Sequence, residues 1–236
     1  MTEWKARRFW TSAEVSHSHG GFGIALDNRA VQTPGKQPLV VRTRTMAETI
    51  AAEWDAQDDI IDPATMPFTR LANSALEKVA PQRSAVAEML AEYGDSDLTC
   101  YRAGSPATLV ARQEAAWDPL LDWAAERYGG RLITVTGVMH SPQPAQALAA
   151  LATPVHAMDA FELTGFHELV ALSGSLIIGL AARAAYLPID ELWARSRIDE
   201  SWQQEQWGTD EEAAQAAAKK AQDFFTASKF LSALTD

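Results

Sequence analysis

The chain has one cysteine, Cys100, so an internal disulfide is excluded, and so are the paired-cysteine metal and redox motifs. A reducing compartment is the expectation. Long apolar runs are also missing. The longest uncharged apolar stretch, residues 169–182, has fourteen residues, short of the ~20 that a membrane-spanning helix needs. It reads as a buried core helix, and membrane insertion is not expected. Basic residues are scarce: 20 Lys and Arg against 31 Asp and Glu leave a net charge of −11. Neutralising a phosphate backbone takes a basic face, so nucleic-acid binding is not expected as the main role. Glycine is not arranged to cradle phosphates either. The single Gly-Lys pair, Gly35-Lys36, has Pro34 before it, Gln37 after it and no upstream glycine at the required spacing. No nucleotide and no cofactor is expected.

What is present suits a globular protein. Of 236 residues, 47% are hydrophobic and 22% charged, enough for a real core in one large or two small domains. Residues 1–45 carry a net +4 and the remainder −15, two surfaces of opposite sign. The opening Met1-Thr2-Glu3-Trp4-Lys5 has no apolar run of signal-peptide type, and a bacterial cytoplasm is the expected location.

The expected fold class is α+β, with a small antiparallel β-rich N-terminal domain over residues 1–65 and a larger all-helical domain over 66–236. Phe22-Gly23-Ile24-Ala25-Leu26 and Pro38-Leu39-Val40-Val41 are short apolar runs, set off by Gly20-Gly21, Asp27-Asn28 and Thr33-Pro34-Gly35-Lys36, which is turn chemistry. A helix over 45–58, capped by Thr45, puts Met46, Ile50 and Trp54 on one stripe. Helices are then expected at 71–78, 81–93, 106–128 (one or two), 142–153, 156–171, 173–186, 188–206 and 210–234. Arg131-Leu132-Ile133-Thr134-Val135-Thr136 is β-branched enough for a short strand or an extended connector.

Catalytic and metal readings are weak. His17 and His19 face one way on a strand but lack a third ligand; His167-Glu168 lacks the second histidine of a zinc motif. Ser173-Gly174-Ser175 does not match a nucleophile elbow. Cys100 with His140 or His156 is an open dyad, against the commoner reading of inert packing. Glu53 and Gln57 stand four apart and pair on a helix face; Asp97 and Arg102 read as an ion pair across a turn. Trp4, Trp10, Trp54, Trp117, Trp123 and Trp193 read as core or junction anchors.

Another segment mixes indole and acid. Between residues 199 and 212 lie Trp202, Trp207 and six carboxylates (Asp199, Glu200, Glu205, Asp210, Glu211, Glu212), with no Lys or Arg to neutralise them. Such a run is either a capped helix junction or a surface for a basic, partly apolar partner. The first alternative has its own signature, since Thr209-Asp210-Glu211-Glu212 fits a capping box before an Ala-rich helix.

Trp202-Gln203 and Trp207-Gly208-x-Asp210-x-Glu212-Ala213 also resemble the C-terminal signature of the ATP synthase assembly chaperones that attend the alpha subunit of the catalytic head. Collinear matches run back along the chain: Arg8-Phe9-Trp10, Leu26-Asp27-x-Arg29, Thr33-Pro34, Glu53-Trp54-Asp55-Ala56-Gln57, Met66-Pro67-Phe68-Thr69-Arg70-Leu71-Ala72, Asp97-Leu98-Thr99-Cys100-Tyr101-Arg102-Ala103 and Trp117-Asp118-Pro119-Leu120. Thr209 stands where the family's pattern often carries an acid. The resemblance implies a non-enzymatic assembly factor that holds the alpha subunit until it meets the beta subunit. Its partner surface is expected around Asp199, Trp202, Gln203, Glu205, Trp207, Asp210 and Glu212. Two other classes stay open: a carboxylate-based hydrolase or isomerase in an inter-domain cleft, whose sign is two close carboxylates of raised pKa, and a general adaptor for basic peptides.

Overall fold

The computed structural model describes residues 7–235; the opening residues, Trp4 among them, lie outside the described residues. Two compact units result. The first comprises residues 7–83, 159–164 and 229–235, and the second residues 84–158 and 165–228. The chain therefore does not divide at residue 65, and two later segments return to the first unit. The α+β class holds, with an N-terminal antiparallel sheet followed by helices.

In the first unit β1 (Ala13–Ser18) and β2 (Gly21–Leu26) form a hairpin, paired from Ala13 with Leu26 to Ser18 with Gly21. Its two-residue turn, His19-Gly20, uses Gly20 at φ 89°, the left-handed region open to glycine. β3 (Arg29–Ala30) and β4 (Val40–Val41) both pair with β2, which leaves β1 as an edge. The Asp27-Asn28 turn is pinned by Asp27, whose carboxylate accepts the Thr11 and Ser12 N–H groups at 2.9 and 3.0 Å. Those backbone donors hold its pKa below the ordinary carboxylate value.

The N-cap of helix α1 (Arg44–Asp55) lies two residues before the expected one. Thr43, not Thr45, is the N-cap, accepting the Met46 N–H at 3.3 Å while its hydroxyl donates to the Ala233 carbonyl at 2.5 Å. The apolar stripe is as read, with Met46 and Ile50 fully buried and Trp54 packed against the same core. Each such buried side chain contributes about 1.5–3 kcal/mol. α2 (Pro67–Ser74) begins at the Pro67 break and is followed by a wider turn over Ala75–Val79. The expected Glu53–Gln57 pair does not form. Gln57 turns to the Glu53 backbone carbonyl and Thr65, while the Glu53 carboxylate caps α2, accepting from the N–H groups of Phe68 (2.7 Å) and Thr69 (2.8 Å) and from the Thr69 hydroxyl (2.7 Å). A helix start offers orphan N–H donors that a carboxylate satisfies better than an amide across the helix face does. Phe68 packs on Phe230, which is why the 229–235 segment belongs here.

The second unit holds α3 (Arg83–Glu92), α4 (Ala107–Tyr128), α5 (Ala145–His156), most of α6 (Ala160–Ser173), α7 (Leu176–Arg183), α8 (Ile189–Ser196), α9 (Ile198–Trp207) and most of α10 (Glu211–Ser232). It is not helix throughout. β5 (Tyr101–Arg102) and β6 (Val135–Thr136) pair in parallel, so of the short strand or extended connector expected at 131–136 the last two residues are strand and the rest connector. Residues 169–182 are not one helix but the end of α6 and most of α7, broken at Gly174 (φ 71°). Among the described residues no helix is long and apolar enough to cross a membrane.

Asp97 explains that break. Fully buried, it accepts from the Thr99 N–H and hydroxyl, the Ser175 hydroxyl (2.8 Å) and the Ile177 N–H (3.0 Å), while Ser175 caps α7. The expected Asp97–Arg102 pair is therefore absent. Arg102 reaches Asp118 on α4 at 2.7 Å and lies 5.3 Å from the Trp117 ring centre. The Trp117 indole N–H donates to the Arg195 carbonyl, and Arg195 donates to the Ala116 carbonyl at 2.5 Å, in the turn that Pro119 deprives of an N–H donor.

Candidate partner-binding surface

The helix expected over 188–206 is two helices, separated at Arg197. The new N-terminus puts Asp199 and Glu200 in the first turn of α9, where a carboxylate is favoured by the helix dipole. Glu200 pairs with Arg197 at 2.9 Å. Asp199 accepts from Gln113 Nε2 at 2.6 Å, and the same buried Gln113 accepts the Ala103 N–H at 2.8 Å through its oxygen.

Nearly two helical turns on, Arg112 of α4 donates from both terminal guanidinium nitrogens to Glu205, at 2.8 and 2.9 Å. Its guanidinium carbon stands 5.1 Å from the Trp202 ring centre. The planar fork thus satisfies a carboxylate on one side and an indole face on the other. The Arg112 hydrogen bonds hold the Glu205 pKa below its ordinary value and raise that of Arg112. The acidic run is therefore not without bases: Arg112 arrives from a helix 93 residues upstream and Arg197 from the preceding turn.

Trp207 is different. It ends α9 with 80% of its surface exposed. Gly208, at φ 90° and ψ 170°, closes the helix with its N–H on the Gln204 carbonyl at 2.9 Å, in a region of backbone space essentially confined to glycine. Asp210 then starts α10, its carboxylate accepting the N–H groups of Glu212 (2.8 Å) and Ala213 (3.1 Å). The expected capping box does not form: Asp210 is the cap, not Thr209, Ala213 at the third helical position has no polar side chain to reach back, and a carboxylate is the stronger acceptor at a helix N-terminus. Glu211 and Glu212 remain exposed in that first turn, and Gln203 is exposed on α9.

The seven expected partner residues thus fall into two sets. Asp199, Trp202, Glu205 and Asp210 are engaged within the chain; Gln203, Trp207 and Glu212 present themselves outward. Arg112 and Gln113, which hold Asp199, Trp202 and Glu205, carried no signal in the sequence beyond being polar in a long helix.

This arrangement has known counterparts. The family model described as ATP12 chaperone protein matches residues 7–125, just over half the chain. The crystal structure of Atp12 from Paracoccus denitrificans is 47% identical, covers 98% of this chain and all of that one, and superposes with a TM-score of 0.95. The chain belongs to the ATP12 chaperone family. The Agrobacterium tumefaciens protein Atu1473 is similar at 41% identity, over 97% of this chain and 86% of its own, with a TM-score of 0.93. The mitochondrial protein atp12 of Schizosaccharomyces pombe is 22% identical over 88% of this chain and 75% of that protein. Membership of this family makes the chain a chaperone and assembly factor, and the motif residues take on meaning within the ATP12 fold. Arg8 donates to the Asp55 and Gln57 carbonyls at the end of α1, Asp27 pins a turn, Glu53 caps α2, and Trp117 and Asp118 fasten α4.

The remaining catalytic candidates find structural employment. Cys100 is buried, and burial first, then the nearby Asp97 charge, push its thiol pKa up to about 12. His140 lies against the Tyr101 hydroxyl and Asp95, and His156 against Glu88, so neither forms a dyad with Cys100. His17 packs on Phe22, and His167 pairs with Glu168. Among the described residues the carboxylates with raised pKa values are the half-buried Glu53 in the first unit and the buried Asp97 in the second, and each accepts several hydrogen bonds within its own unit.

Proposed function

We propose that this chaperone binds the unassembled alpha subunit of the ATP synthase catalytic head and keeps it from aggregating until it joins the beta subunit. It does so as a non-enzyme that takes no nucleotide. The observation that carries the reading is Trp207, left 80% exposed at a glycine-ended helix terminus with Glu211 and Glu212 exposed in the next turn. An unassembled subunit of an obligate ring exposes apolar surface, and a factor that covers it by mass action lowers the free concentration of the sticky form. An indole anchor sets the lifetime of such a contact, and outward acids steer a basic rim toward it. Asp199, Trp202 and Glu205 support the site by holding α9 against α4.

The test is light scattering of isolated alpha and beta subunits with and without the chaperone. Alpha is expected to stay in solution and beta to gain little. Trp207→Ala should lose the protection while keeping the melting temperature. Equal protection of both subunits favours a general adaptor for basic peptides, and micromolar ATP affinity by calorimetry contradicts the nucleotide-free reading.

A further inference from the structure

A second surface lies on the helical unit, built by α3 and α5 and independent of the reading of Trp207. Between them runs an open groove of about 660 Å³. Its two walls differ in kind. From α3 and the turn that continues it come Glu88, Ala91, Glu92 and Asp95, spaced three and four residues apart and so on one face. From α5 come Ala145, Leu148, Ala149 and Ala152, again at helical spacing and all apolar. One wall is thus a line of three carboxylates spread over ~11 Å of helix axis, and the other is a row of methyl groups and one Leu.

The end of the groove is held firmly. Gln143, buried at the groove, returns both its amide groups to the Ile133 backbone, at 2.8 and 2.9 Å, and gives its own N–H to Asp95 at 2.8 Å. Asp95 also meets His140 Nε2 at 3.3 Å, and His156 meets Glu88 at the same distance. The loop that runs into this end carries Val138 and Met139, exposed at 90% and 81%. Two adjacent apolar side chains in water, one a flexible methionine, beside a built groove are what an adaptable binding surface displays.

We infer that the α3–α5 groove docks an amphipathic helix of a partner protein, its apolar stripe lying on the α5 wall and over Met139, and its Lys or Arg flank facing Glu88, Glu92 and Asp95. Charge complementarity selects this occupant. The small side chains of α5 let a helix approach closely, while an acidic segment would meet like charge along the whole α3 wall. The length of the walls, about two turns, seats an i, i+3/i+4, i+7 set of apolar anchors.

The test uses the full chain and a fluorescein-labelled fourteen-residue peptide with Leu at that spacing and Lys on one flank, beside a peptide of the same composition in scrambled order. Anisotropy is expected to saturate at micromolar concentration in low salt for the patterned peptide only, with the peptide gaining helicity in circular dichroism. Changing two of the three wall acids, Glu88→Gln with Glu92→Gln, should weaken binding about fivefold or more. Ala149→Arg, which sets a bulky cation over the apolar wall, should weaken it more. All three positions are exposed, and unchanged circular dichroism of the variants verifies their folds. Equal binding of the scrambled peptide, a bound peptide that stays extended, or full affinity in the Gln variant would overturn the assignment, because the net charge of −11 would then suffice to explain the association.

Discussion

The α1–α2 region and the α9–α10 region use similar residues to opposite ends. Each has tryptophan, acid and glutamine in a family motif. Around α1 these groups are absorbed: Trp10 is buried and in edge contact with Trp54 at 5.3 Å, Gln57 is buried, and Glu53 spends its carboxylate on the start of α2. Around α9 the absorption is partial. Trp202, Glu205 and Asp199 are taken up by Arg112 and Gln113, while Trp207, Glu211 and Glu212 are left in water. The difference teaches that a motif marks which residues the fold cares about, whereas their remaining exposure separates packing from partner contact.

That contrast breaks most readily at Glu53. Glu53→Ala removes the acceptor for two backbone N–H groups and one hydroxyl, and is expected to cost about 3 kcal/mol of unfolding free energy. Urea denaturation would read it, and a loss below about 1 kcal/mol would mean that α2 keeps its start without the cap.

A second expectation concerns the interior of the helical unit and has a pH signature. The Cys100 thiol is raised from 9.0 to about 12 by burial. Between these values the unfolded chain releases the proton and the folded chain keeps it. Stability contributed by the group is therefore fully present below pH 9.0 and declines as pH rises toward about 12, by about 1.4 kcal/mol per unit. Cys100→Ala should flatten that part of the stability–pH curve, and a thiol reagent at pH 8 should label the native protein only through unfolding.

At the α9–α10 junction smaller effects are expected. Asp210→Ala should cost about 1 kcal/mol by uncapping α10, and Asp210→Asn much less, because Asn serves as well at that position. Any loss of client affinity in the Asn variant then reports the charge alone. Arg112→Ala should change stability by less than about 1 kcal/mol, the usual worth of an exposed ion pair, yet shift the Trp202 fluorescence. Trp207→Ala should leave stability within about 0.5 kcal/mol. A larger loss there would place the indole among the packed tryptophans and erase the contrast with α1.

Much of the fold was legible in the residue pattern. The hairpin at Gly20, the stripe of Met46 and Ile50 and the break at Pro67 all follow from local rules. So does the family assignment, which rests on short motifs in order. Local reading missed the division of 188–206 at Arg197, and elsewhere it went astray at polar groups: Thr45 for Thr43, Thr209 for Asp210, Asp97 with Arg102, Glu53 with Gln57.

The physical reason is that backbone propensity and apolar periodicity act over one or two helical turns, so the sequence by itself settled where most helices and the hairpin lie and which face is apolar. A charged or amide side chain instead goes to whichever donor or acceptor the packed chain leaves unsatisfied. Gln113 meeting Asp199 across 86 residues and Arg112 meeting Glu205 across 93 were decided only when the tertiary structure brought α4 to α9.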